Sequence, residues 1–430
     1  MRTRFFSAKL IILLSCIVCL ALSATPAFSK VTLTIASGPH PVQKHQIEWM
    51  ERWADSHPDV EVKVVILSYD VYFAKVSNAL QAPKGEYDIV WHNDDWGAAW
   101  MNYMEYVDDV KNFDKIEAYL WNLCWMDTNG RPTAVPFIAT CAGMFYRKDL
   151  IPNPPKTWQE VQDVSLKLQK EGKVKWGYVS GMKFPHDYFT FLPFMWANLG
   201  DILYPPFERD NKVLKMFGWQ PMVTDIRVIE MLNWFWDQIH ETKTIPPDNV
   251  SYSRDAAGAI FMAGDSAMYG QDALYYGTLN DPNKSKIAGK IGIAPFPSGP
   301  RGNGGLSWDV CWGWGIPKNI DPEKKKAAKE LLGYLLDEKV QVDMWQKTGG
   351  IPVSQVVRTK LQESDPLFRE FAKATFDAPV LVASAHYYPK WPKIHSIFAD
   401  YCIKAMMGKR EDIPKIMEQC DEEMRKVYAE

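Results

Sequence analysis

The sequence predicts an α/β fold divided into two lobes, and three observations support this class. Short strands and amphipathic helices alternate from residue 31 onward, which is typical of a largely parallel sheet covered by helices. The chain has 430 residues, and single hydrophobic cores stop growing beyond roughly 250–300 residues. No Ser/Gly-rich linker separates two autonomous domains, so two lobes would have to be joined through ordered segments.

The first strands and helices can be placed from their periodicity. Residues 31–35 alternate apolar and polar side chains, which predicts a strand. Residues 60–67 and 88–91 predict two more strands. The helices between these strands are indicated by apolar residues that share one face, namely Ile47, Met50 and Trp53 in the first helix and Tyr72, Val76 and Leu80 in the second.

Later helices are marked by their ends. Thr157 and Glu160 have the spacing of a capping box, in which a hydroxyl and a carboxylate bond the free amides of the first turn. Asp321 followed by Pro322 predicts an N-cap with proline at the first helical position. Gly408 is expected to end a helix near the carboxyl terminus. Segments that resemble ordered crossings between lobes lie at residues 136–146, 291–297 and 349–352.

The first 29 residues are predicted to be a secretory signal peptide. A basic start precedes an apolar run of 13 residues at 10–22, which is too short to span a bilayer because a helix needs roughly 20 residues. Small residues follow at the two positions that a signal peptidase reads, so cleavage is expected before Lys30. The alternative is a lipid anchor on Cys16 or Cys19.

Charge and cysteine content exclude several classes of function. The formal net charge is −3, and loss of three basic residues with the signal peptide would make it −6. A mildly acidic chain lacks the basic surface that nucleic acid binding requires. The cysteines outside the predicted signal peptide are widely spaced, and the histidines are scattered, so no metal or other cofactor is expected. These cysteines are Cys124, Cys141, Cys311, Cys402 and Cys420, for which buried free thiols and one or two disulfides both stay open.

The sequence lacks several enzyme signatures. It contains no His-Glu-x-x-His, no Gly-x-Ser-x-Gly and no phosphate-binding loop. Asp94 and Asp95 are adjacent carboxylates, and a glycosidase needs two carboxyl groups that flank the bond to be cleaved. Neighbours in sequence seldom point at one atom, so we expect a ligand contact or a helix cap here. An exported carbohydrate hydrolase using Asp94 or Asp95 is the alternative function.

Aromatic residues interleaved with polar ones predict a site for a small solute. The chain has 18 Trp, 19 Tyr and 20 Phe. A sugar has an apolar face that rings can cover and a rim of hydroxyl groups that Asp, Asn, Gln and Arg can bond. Segments of this composition lie at residues 91–96, 271–276, 307–312 and 387–391.

The order of several motifs resembles the family 1 extracellular solute-binding proteins of ABC importers, the group that includes maltose-binding protein. One of the more specific motifs is Pro154-Pro155-Lys156-Thr157-Trp158-Gln159-Glu160. The resemblance covers nearly the whole chain after residue 29. The other motifs that carry it are His57-Pro58-Asp59, Tyr87-Asp88-Ile89-Val90, Gly130 to Pro136, Phe145 to Leu150, Ala259 to Met268 and Ile293 to Pro297.

This resemblance implies a two-lobed periplasmic-binding-protein fold of the class II type, with a ligand cleft between the lobes and three crossings. The first lobe would take residues 30–140 and 293–347, and the second would take residues 141–292 and 348–430. It implies a monomer in the periplasm that closes on a solute by a hinge motion and delivers it to a membrane permease. The solute is expected to be a sugar, although the family also takes up polyols, glycerol phosphodiesters and polyamines, and a sensor is an alternative partner.

The resemblance and the aromatic segments together give the candidate ligand-binding residues. Where maltose-binding protein has a stacking Trp, this chain has Leu274, and Tyr275 could substitute for it. That departure puts maltose itself in doubt as the ligand. The predicted ligand contacts are His40, Asp94, Asp95, Trp96, Gln271, Asp272, Tyr275, Trp308, Asp309 and Tyr388.

Overall fold

The computed structural model describes most of the chain after the predicted signal peptide. The described residues are 30–38, 42–117, 120, 127, 129–184, 186–204, 220–302, 305–306, 308–369, 372 and 388–429. The predicted signal peptide, His40 and Cys124 therefore lie outside the described residues.

A mixed sheet forms the centre of the protein. Its described strands follow the spatial order β2-β1-β3-β10-β4-β8-β5, with β9 and β11 also paired to β4. A separate short pair is formed by β6 and β7. The strand bounds are β1 Val31–Ser37, β2 Val60–Ile66, β3 Ile89–Asn93, β4 Val135–Arg147, β5 Trp176–Val179, β6 Leu203–Tyr204, β7 Gln220–Pro221, β8 Ser266–Asp272, β9 Ile291–Ala294, β10 Trp308–Gly315 and β11 Ile351–Pro352.

Parallel pairing is found where strand and helix alternate. β1 pairs in parallel with β2 and β3, and β5 pairs in parallel with β8. This confirms the α/β interpretation of the first 90 residues. The pairs of β4 with β10, β8 and β9 are antiparallel. The chain therefore runs through β4 in the direction opposite to these three strands.

Strand β4 connects the two ends of the sheet. Its residues 135–142 pair with β10, and its residues 142–147 pair with β8 and β9. Two candidate crossings, at residues 291–297 and 349–352, contain β9 and β11. All three predicted crossing segments thus contain strands that meet on β4. The lobe bounds given above remain predictions.

Helices cover the sheet, and several of them begin and end where the sequence predicts. The bounds of the described helices are α1 Gln43–Asp55, α2 Tyr69–Gln81, α3 Gly97–Trp100, α4 Trp158–Lys170, α5 Phe191–Ala197, α6 Ile226–His240, α7 Arg254–Met262, α8 Tyr276–Leu279, α9 Pro322–Leu335, α10 Glu338–Thr348, α11 Gln355–Ser364, α12 Trp391–Met407 and α13 Ile413–Ala429. None of the described helices is long and apolar enough to cross a membrane.

The predicted capping box starts α4, with one difference. The amide of Glu160 donates to the Thr157 hydroxyl over 3.2 Å, as expected. The Glu160 carboxylate accepts instead from the amide of Lys156, at 2.7 Å, one residue before the N-cap. Asp321 precedes Pro322 at the start of α9, but its side chain makes no cap hydrogen bond. The proline, which fits the first helical turn without losing a hydrogen bond, marks this start.

Close packing around β8 depends on one glycine. A Cβ atom at Gly270 would lie 2.2 Å from the Tyr178 hydroxyl oxygen and 2.5 Å from the carbonyl oxygen of Phe189. Neither distance is compatible with a side chain, so only glycine lets β8 lie this close to its neighbours. The residues that follow in β8 are Gln271 and Asp272, whose positions are thereby fixed.

Candidate functional site

The end of strand β8 and the turns that follow β3 and β8 contain six of the ten predicted ligand contacts. β3 leads directly into a 3-10 turn at Asp94–Trp96, and β8 leads into a 3-10 turn at Ala273–Tyr275. Ligands of open α/β sheets bind at the carboxyl ends of strands, where such turns lie. The Asp94–Trp96 turn also contacts helix α12, which comes from the carboxyl-terminal part of the chain.

Trp96 is buried within a group of aromatic rings. Its ring is 3% exposed and stacks on Tyr72 with ring centroids 5.4 Å apart and an interplanar angle of 17°. Trp91 meets it edge-on at 5.3 Å, and Trp100 lies 5.1 Å away. The ring of Trp96 is therefore largely covered by other rings in this structure, rather than facing an open cleft.

Tyr72 ties two strand ends together beneath this group. Its hydroxyl donates to the carbonyl oxygens of Ala36, at 2.9 Å, and Trp91, at 3.0 Å. Burial raises the pKa of Tyr72 well above its ordinary value, so the hydroxyl remains a donor. The ends of β1 and β3 are thus held at a fixed separation next to the Asp94–Trp96 turn.

The structure describes the other predicted ligand contacts outside β8 and its turn in less detail. Asp95 is buried at 3% exposure, and for Asp94 the structure describes the backbone within the turn. The backbones of Trp308 and Asp309 pair with Ala142 and Cys141 at the start of β10. Tyr388 is half-buried and lies just before α12.

Gln271 and Asp272 end β8 as fully buried polar residues. The Gln271 amide nitrogen donates to the Tyr269 hydroxyl at 2.8 Å, and its oxygen accepts from the Asp272 amide at 2.9 Å. One carboxylate oxygen of Asp272 accepts from the amide of Leu274 at 3.0 Å and so caps the next turn. The other oxygen, Oδ2, is buried and has no hydrogen-bond partner among the described residues. Such an acceptor is costly unless a ligand completes it.

Arg254 supplies the positive charge near Asp272. It is the first residue of α7 and is half-buried. Burial lowers the pKa of the guanidinium, but the nearby Tyr275, Asp272, Tyr69 and Asp255 together raise it above its ordinary value. The guanidinium carbon lies 5.8 Å from the centre of the Tyr275 ring. Among the described residues, the guanidinium of Arg254 makes no side-chain hydrogen bond, so its donors are available to a ligand.

Burial also changes the acidity of Asp272. It raises the pKa of this carboxyl to about 6, although the Arg254 charge and the Leu274 amide both act to lower it. Tyr275 is half-buried, and its hydroxyl lies at the limit of a hydrogen bond, 3.5 Å from Asp255. Burial raises the pKa of Tyr275 above its ordinary value as well. These residues form a compact group of one cation and several acceptors.

A residue next to the end of β3 also acts electrostatically on Arg254. Tyr69, the first residue of α2, is close enough for its hydroxyl to raise the pKa of Arg254. The Tyr69 hydroxyl accepts from the side-chain amide of Asn93 at 3.4 Å. Asn93 is the last residue of β3. The charge of Arg254 is therefore influenced both by residues of β8 and α7 and by Tyr69, which is bonded to the end of β3.

The structure thus brings Gln271, Asp272 and Tyr275 together and adds residues that sequence reasoning missed. Arg254, Tyr69 and Asn93 were not predicted. Arg254 could have been noticed, because the hydroxyl of Ser253 caps α7 and a cation in the first turn of a helix opposes the helix dipole. A basic residue at such an unfavourable place indicates a role other than helix stability. Among the described residues, no group of three or more His, Cys, Asp or Glu side chains could hold a metal ion.

Comparison with known proteins establishes the family. Residues 45–342 match the family of bacterial extracellular solute-binding proteins. This match includes β3, β8, α7 and both turns of the candidate site, and it covers more than half of the chain. The chain therefore belongs to the bacterial extracellular solute-binding proteins, a family of exported proteins that bind substrates.

Individual relatives are distant. A probable ABC transporter-binding protein of Deinococcus radiodurans is 27% identical over 218 residues, which are 48% of this chain and 47% of that protein; the chain thus spans about half of that relative's length. A mannitol-binding protein of Pseudomonas aeruginosa is 24% identical over 334 residues, which are 72% of this chain and 70% of that protein.

The structural comparison shows the fold. The maltose-bound MalE3 of T. maritima superposes with a TM-score of 0.75 and 22% identity, covering 92% of this chain and all of that one. At this level of identity the similarity concerns the fold alone. The predicted two-lobed periplasmic-binding-protein fold is confirmed by it.

Proposed function

We propose that this protein is the substrate-binding component of an ABC importer and that it captures a sugar or polyol. The family supports the solute-binding role, and relatives that bind mannitol and maltose support the substrate class. The observation that carries the proposal is the buried carboxylate of Asp272 at the end of β8. One oxygen of this carboxylate, Oδ2, has no hydrogen-bond partner among the described residues, and the positive charge of Arg254 acts on the same carboxyl group to lower its pKa.

A hinge motion would let both halves share the ligand. Arg254 and Asp272 lie on one side, while Tyr69, Asn93 and the turn that contains Asp95 lie on the other. A ligand bound between them shifts the equilibrium toward the closed state by its greater affinity for that state. The remaining predicted contacts, His40, Asp94, Trp308, Asp309 and Tyr388, would line the same cleft between lobes with the bounds predicted above.

The family also supports a proposal for the cellular location and the partner of this protein. A chain of this family would be exported through the signal peptide at residues 1–29, act in the periplasm as a monomer, and deliver its ligand to a membrane permease. Neither nucleic acid nor a cofactor enters this mechanism.

The test is ligand binding combined with a measure of closure. Titration calorimetry with D-mannitol, ribitol, D-glucose and maltose should show saturable binding of at least one compound. Small-angle X-ray scattering should show a smaller radius of gyration with that compound. Asp272→Asn should weaken binding about tenfold or more, because a buried acceptor for the ligand is lost. The matched control is Asp265→Asn, an exposed aspartate just before β8, which should bind normally.

The competing enzymatic function makes a different prediction. A hydrolase using Asp94 or Asp95 would release product from an oligosaccharide during prolonged incubation, and chromatography would detect it. Equal affinities of the Asp272→Asn variant and of the unmodified protein would also contradict the proposed site.

A further inference from the structure

A surface cavity lies between helices α1, α9 and α10. Its volume is about 750 Å³, which is in the range of sites for small ligands. The lining comes from the second half of α1, the turn at residues 112–115, the end of α9 and the start of α10. None of these elements carries a residue of the candidate solute site, so the cavity calls for a separate explanation.

The acidic side chains that line this cavity are all paired. Each carboxylate is held at 2.5–3.0 Å by a lysine from outside the lining. The indole of Trp49 also donates to Asp343, at 2.7 Å. The three ion pairs are Lys111 with Asp337, Lys360 with Glu338 and Lys347 with Asp343.

The basic side chains of the lining have no acidic partner. Arg52 on α1, Lys115 in the turn and Lys339 on α10 make no side-chain hydrogen bond and no ion pair with any described residue. The lining and its ion-pair partners thus contain six basic and three acidic side chains, on a chain whose formal net charge is −3. Like charges around one cavity repel each other, and an anion between them relieves that repulsion.

We infer that this cavity binds a phosphate group, held by Arg52, Lys115 and Lys339 from three separate elements. The group could belong to free phosphate or a phosphorylated compound in solution, or to the headgroup of an anionic lipid, because the recognised chemistry is the same. This site is separate from solute capture, so the inference and the proposed function can fail independently.

The arrangement of donors favours phosphate over carboxylate. A phosphate group presents three acceptor oxygens and about −1.5 to −2 charge near neutral pH, whereas a carboxylate has two oxygens and a single charge. The guanidinium of Arg52 can bond two phosphate oxygens at once, and the lysine ammonium groups supply further charge. Tyr334, half-buried at the end of α9, adds a hydroxyl donor, because burial raises the pKa of Tyr334 and keeps it protonated.

The turn that carries Lys115 is fixed by Asn112. The backbone of Asn112 has a φ of 67°, a left-handed conformation that asparagine adopts more readily than most residues. Its side-chain amide donates to the Asp337 carboxylate at 2.9 Å and to the carbonyl oxygen of Gly333 at 3.4 Å. The turn is thereby attached to the corner between α9 and α10, and a site assembled before binding loses less affinity to ordering.

Phosphate binding to the full protein without its signal peptide tests this inference. The soluble probes are inorganic phosphate and pyrophosphate, with acetate as the carboxylate for comparison, all at equal ionic strength. The membrane probes are vesicles of phosphatidylcholine with and without phosphatidic acid. We expect calorimetry to show saturable binding of a phosphate probe about tenfold or more tighter than acetate, or flotation to show binding only to vesicles that contain phosphatidic acid.

Variants of two exposed cations locate the binding without disturbing the core. Arg52→Gln combined with Lys339→Gln should weaken binding about a hundredfold, since each change removes a charge-assisted hydrogen bond worth about tenfold. The control combines Arg410→Gln with Lys63→Gln, which removes the same charge from two exposed ion pairs elsewhere. It should bind as the unmodified protein does, and circular dichroism verifies that both variants are folded.

The two sources of phosphate give different results. Binding of the soluble probes assigns the site to a phosphate compound in solution, and binding to the vesicles alone assigns it to a lipid headgroup. Either result supports the site if the Arg52→Gln and Lys339→Gln double variant loses it. Absence of binding to every phosphate probe, equal binding by the double variant and the control, or acetate binding as tightly as phosphate would each overturn the inference.

Discussion

The hydroxyl of Tyr269 donates a 2.8 Å hydrogen bond to the backbone carbonyl of Arg254. Tyr269 is fully buried in β8, three residues before Asp272, and it accepts from the Gln271 amide on its other side. One phenol group thus connects the strand that ends in the carboxylate to the first residue of the helix that carries the guanidinium. This contact holds the backbone of Arg254 at a fixed position relative to β8.

Replacing Tyr269 by phenylalanine should weaken ligand binding although Tyr269 lies beneath the proposed site. The change frees the Arg254 carbonyl and leaves the buried Gln271 amide without its acceptor. We expect a loss of about 1–3 kcal/mol in the free energy of unfolding and an affinity several-fold lower, measured by denaturant titration and calorimetry. Tyr401→Phe is the control, because it removes a phenol bonded at 2.9 Å to Glu423 on the last two helices. Equal affinities of the two variants would show that Tyr269 does not position Arg254.

Ionisation of Asp272 should make the ligand-free protein less stable at neutral pH. The pKa of its carboxyl is about 6 in the folded protein, compared with 3.8 ordinarily. Between these values the folded protein keeps a proton that the unfolded chain has released, so the free energy of unfolding falls as the pH rises through this window. Asp272→Asn removes the effect and keeps the shape of the side chain.

The Asp272→Asn variant should therefore be more stable than the unmodified protein at pH 7, by at most about 3 kcal/mol. The difference should shrink toward zero near pH 4, where both folded proteins are uncharged at this position. Thermal unfolding between pH 4 and pH 8 without ligand measures it. A constant difference across this range, or a variant that is less stable at pH 7, would contradict the raised pKa. If Asp272→Asn both raises the free energy of unfolding and weakens ligand binding, the ionised Asp272 lowers stability in exchange for function.

The sequence predicts the framework of this site better than its chemistry. The alternation of residues 31–35 identifies β1, because the pattern depends only on which side chains face the core. Asp272 could be proposed as a ligand contact because it follows a segment, Ala259 to Met268, that resembles a family motif. Trp96 illustrates the limit: an aromatic residue between polar neighbours fits both a ligand platform and a buried ring, and only the packing of Tyr72 against it decides its exposure.

Arg254 was missed for a related reason. It lies 18 positions before Asp272 in the chain, and no local pattern shows that α7 packs against β8. The bond from Tyr269 that joins them crosses 15 positions. Charge pairs made by tertiary packing leave no periodic trace in a sequence. The capping box of α4 is a second example. The residue types predicted the helix start correctly, but the Glu160 carboxylate accepts a hydrogen bond from the amide of Lys156 instead of the N-cap amide.

Cys402 and Cys420 should be unreactive thiols in the native protein. Cys402 and Cys420 are free and buried. Burial raises the pKa of Cys402 well above its ordinary value, and it raises that of Cys420 too. A thiol that stays protonated and inaccessible reacts slowly with thiol reagents.

The measurement uses the exported form with Cys124, Cys141 and Cys311 replaced by serine, so that Cys402 and Cys420 are the thiols under test. Under native conditions Ellman's reagent should detect no thiol, and in guanidinium without reductant it should detect both. Detection of neither after denaturation would reveal a disulfide and contradict the free state. Rapid reaction of the native protein would contradict the burial.

A buried pair formed by Asp187 and His395 should couple the turn after β5 to helix α12. The imidazole Nε2 lies 2.9 Å from the Asp187 carboxylate, and both side chains are at most 1% exposed. Trp391 stacks on the His395 ring at 5.3 Å with an angle of 5°, and Phe184 meets it at 5.3 Å. The pair is thus enclosed on an element that also contacts the Asp94–Trp96 turn.

Removing one partner leaves the other buried without its hydrogen bond, whereas removing both does not. Asp187→Leu and His395→Leu should therefore each lower the free energy of unfolding by about 3–5 kcal/mol. The double variant should lose clearly less than the sum of the two single losses, by about 1 kcal/mol or more. Urea unfolding of all four proteins provides the double-mutant cycle. Additive losses would show that the two side chains act independently and that the contact between them does not hold α12 against the turn.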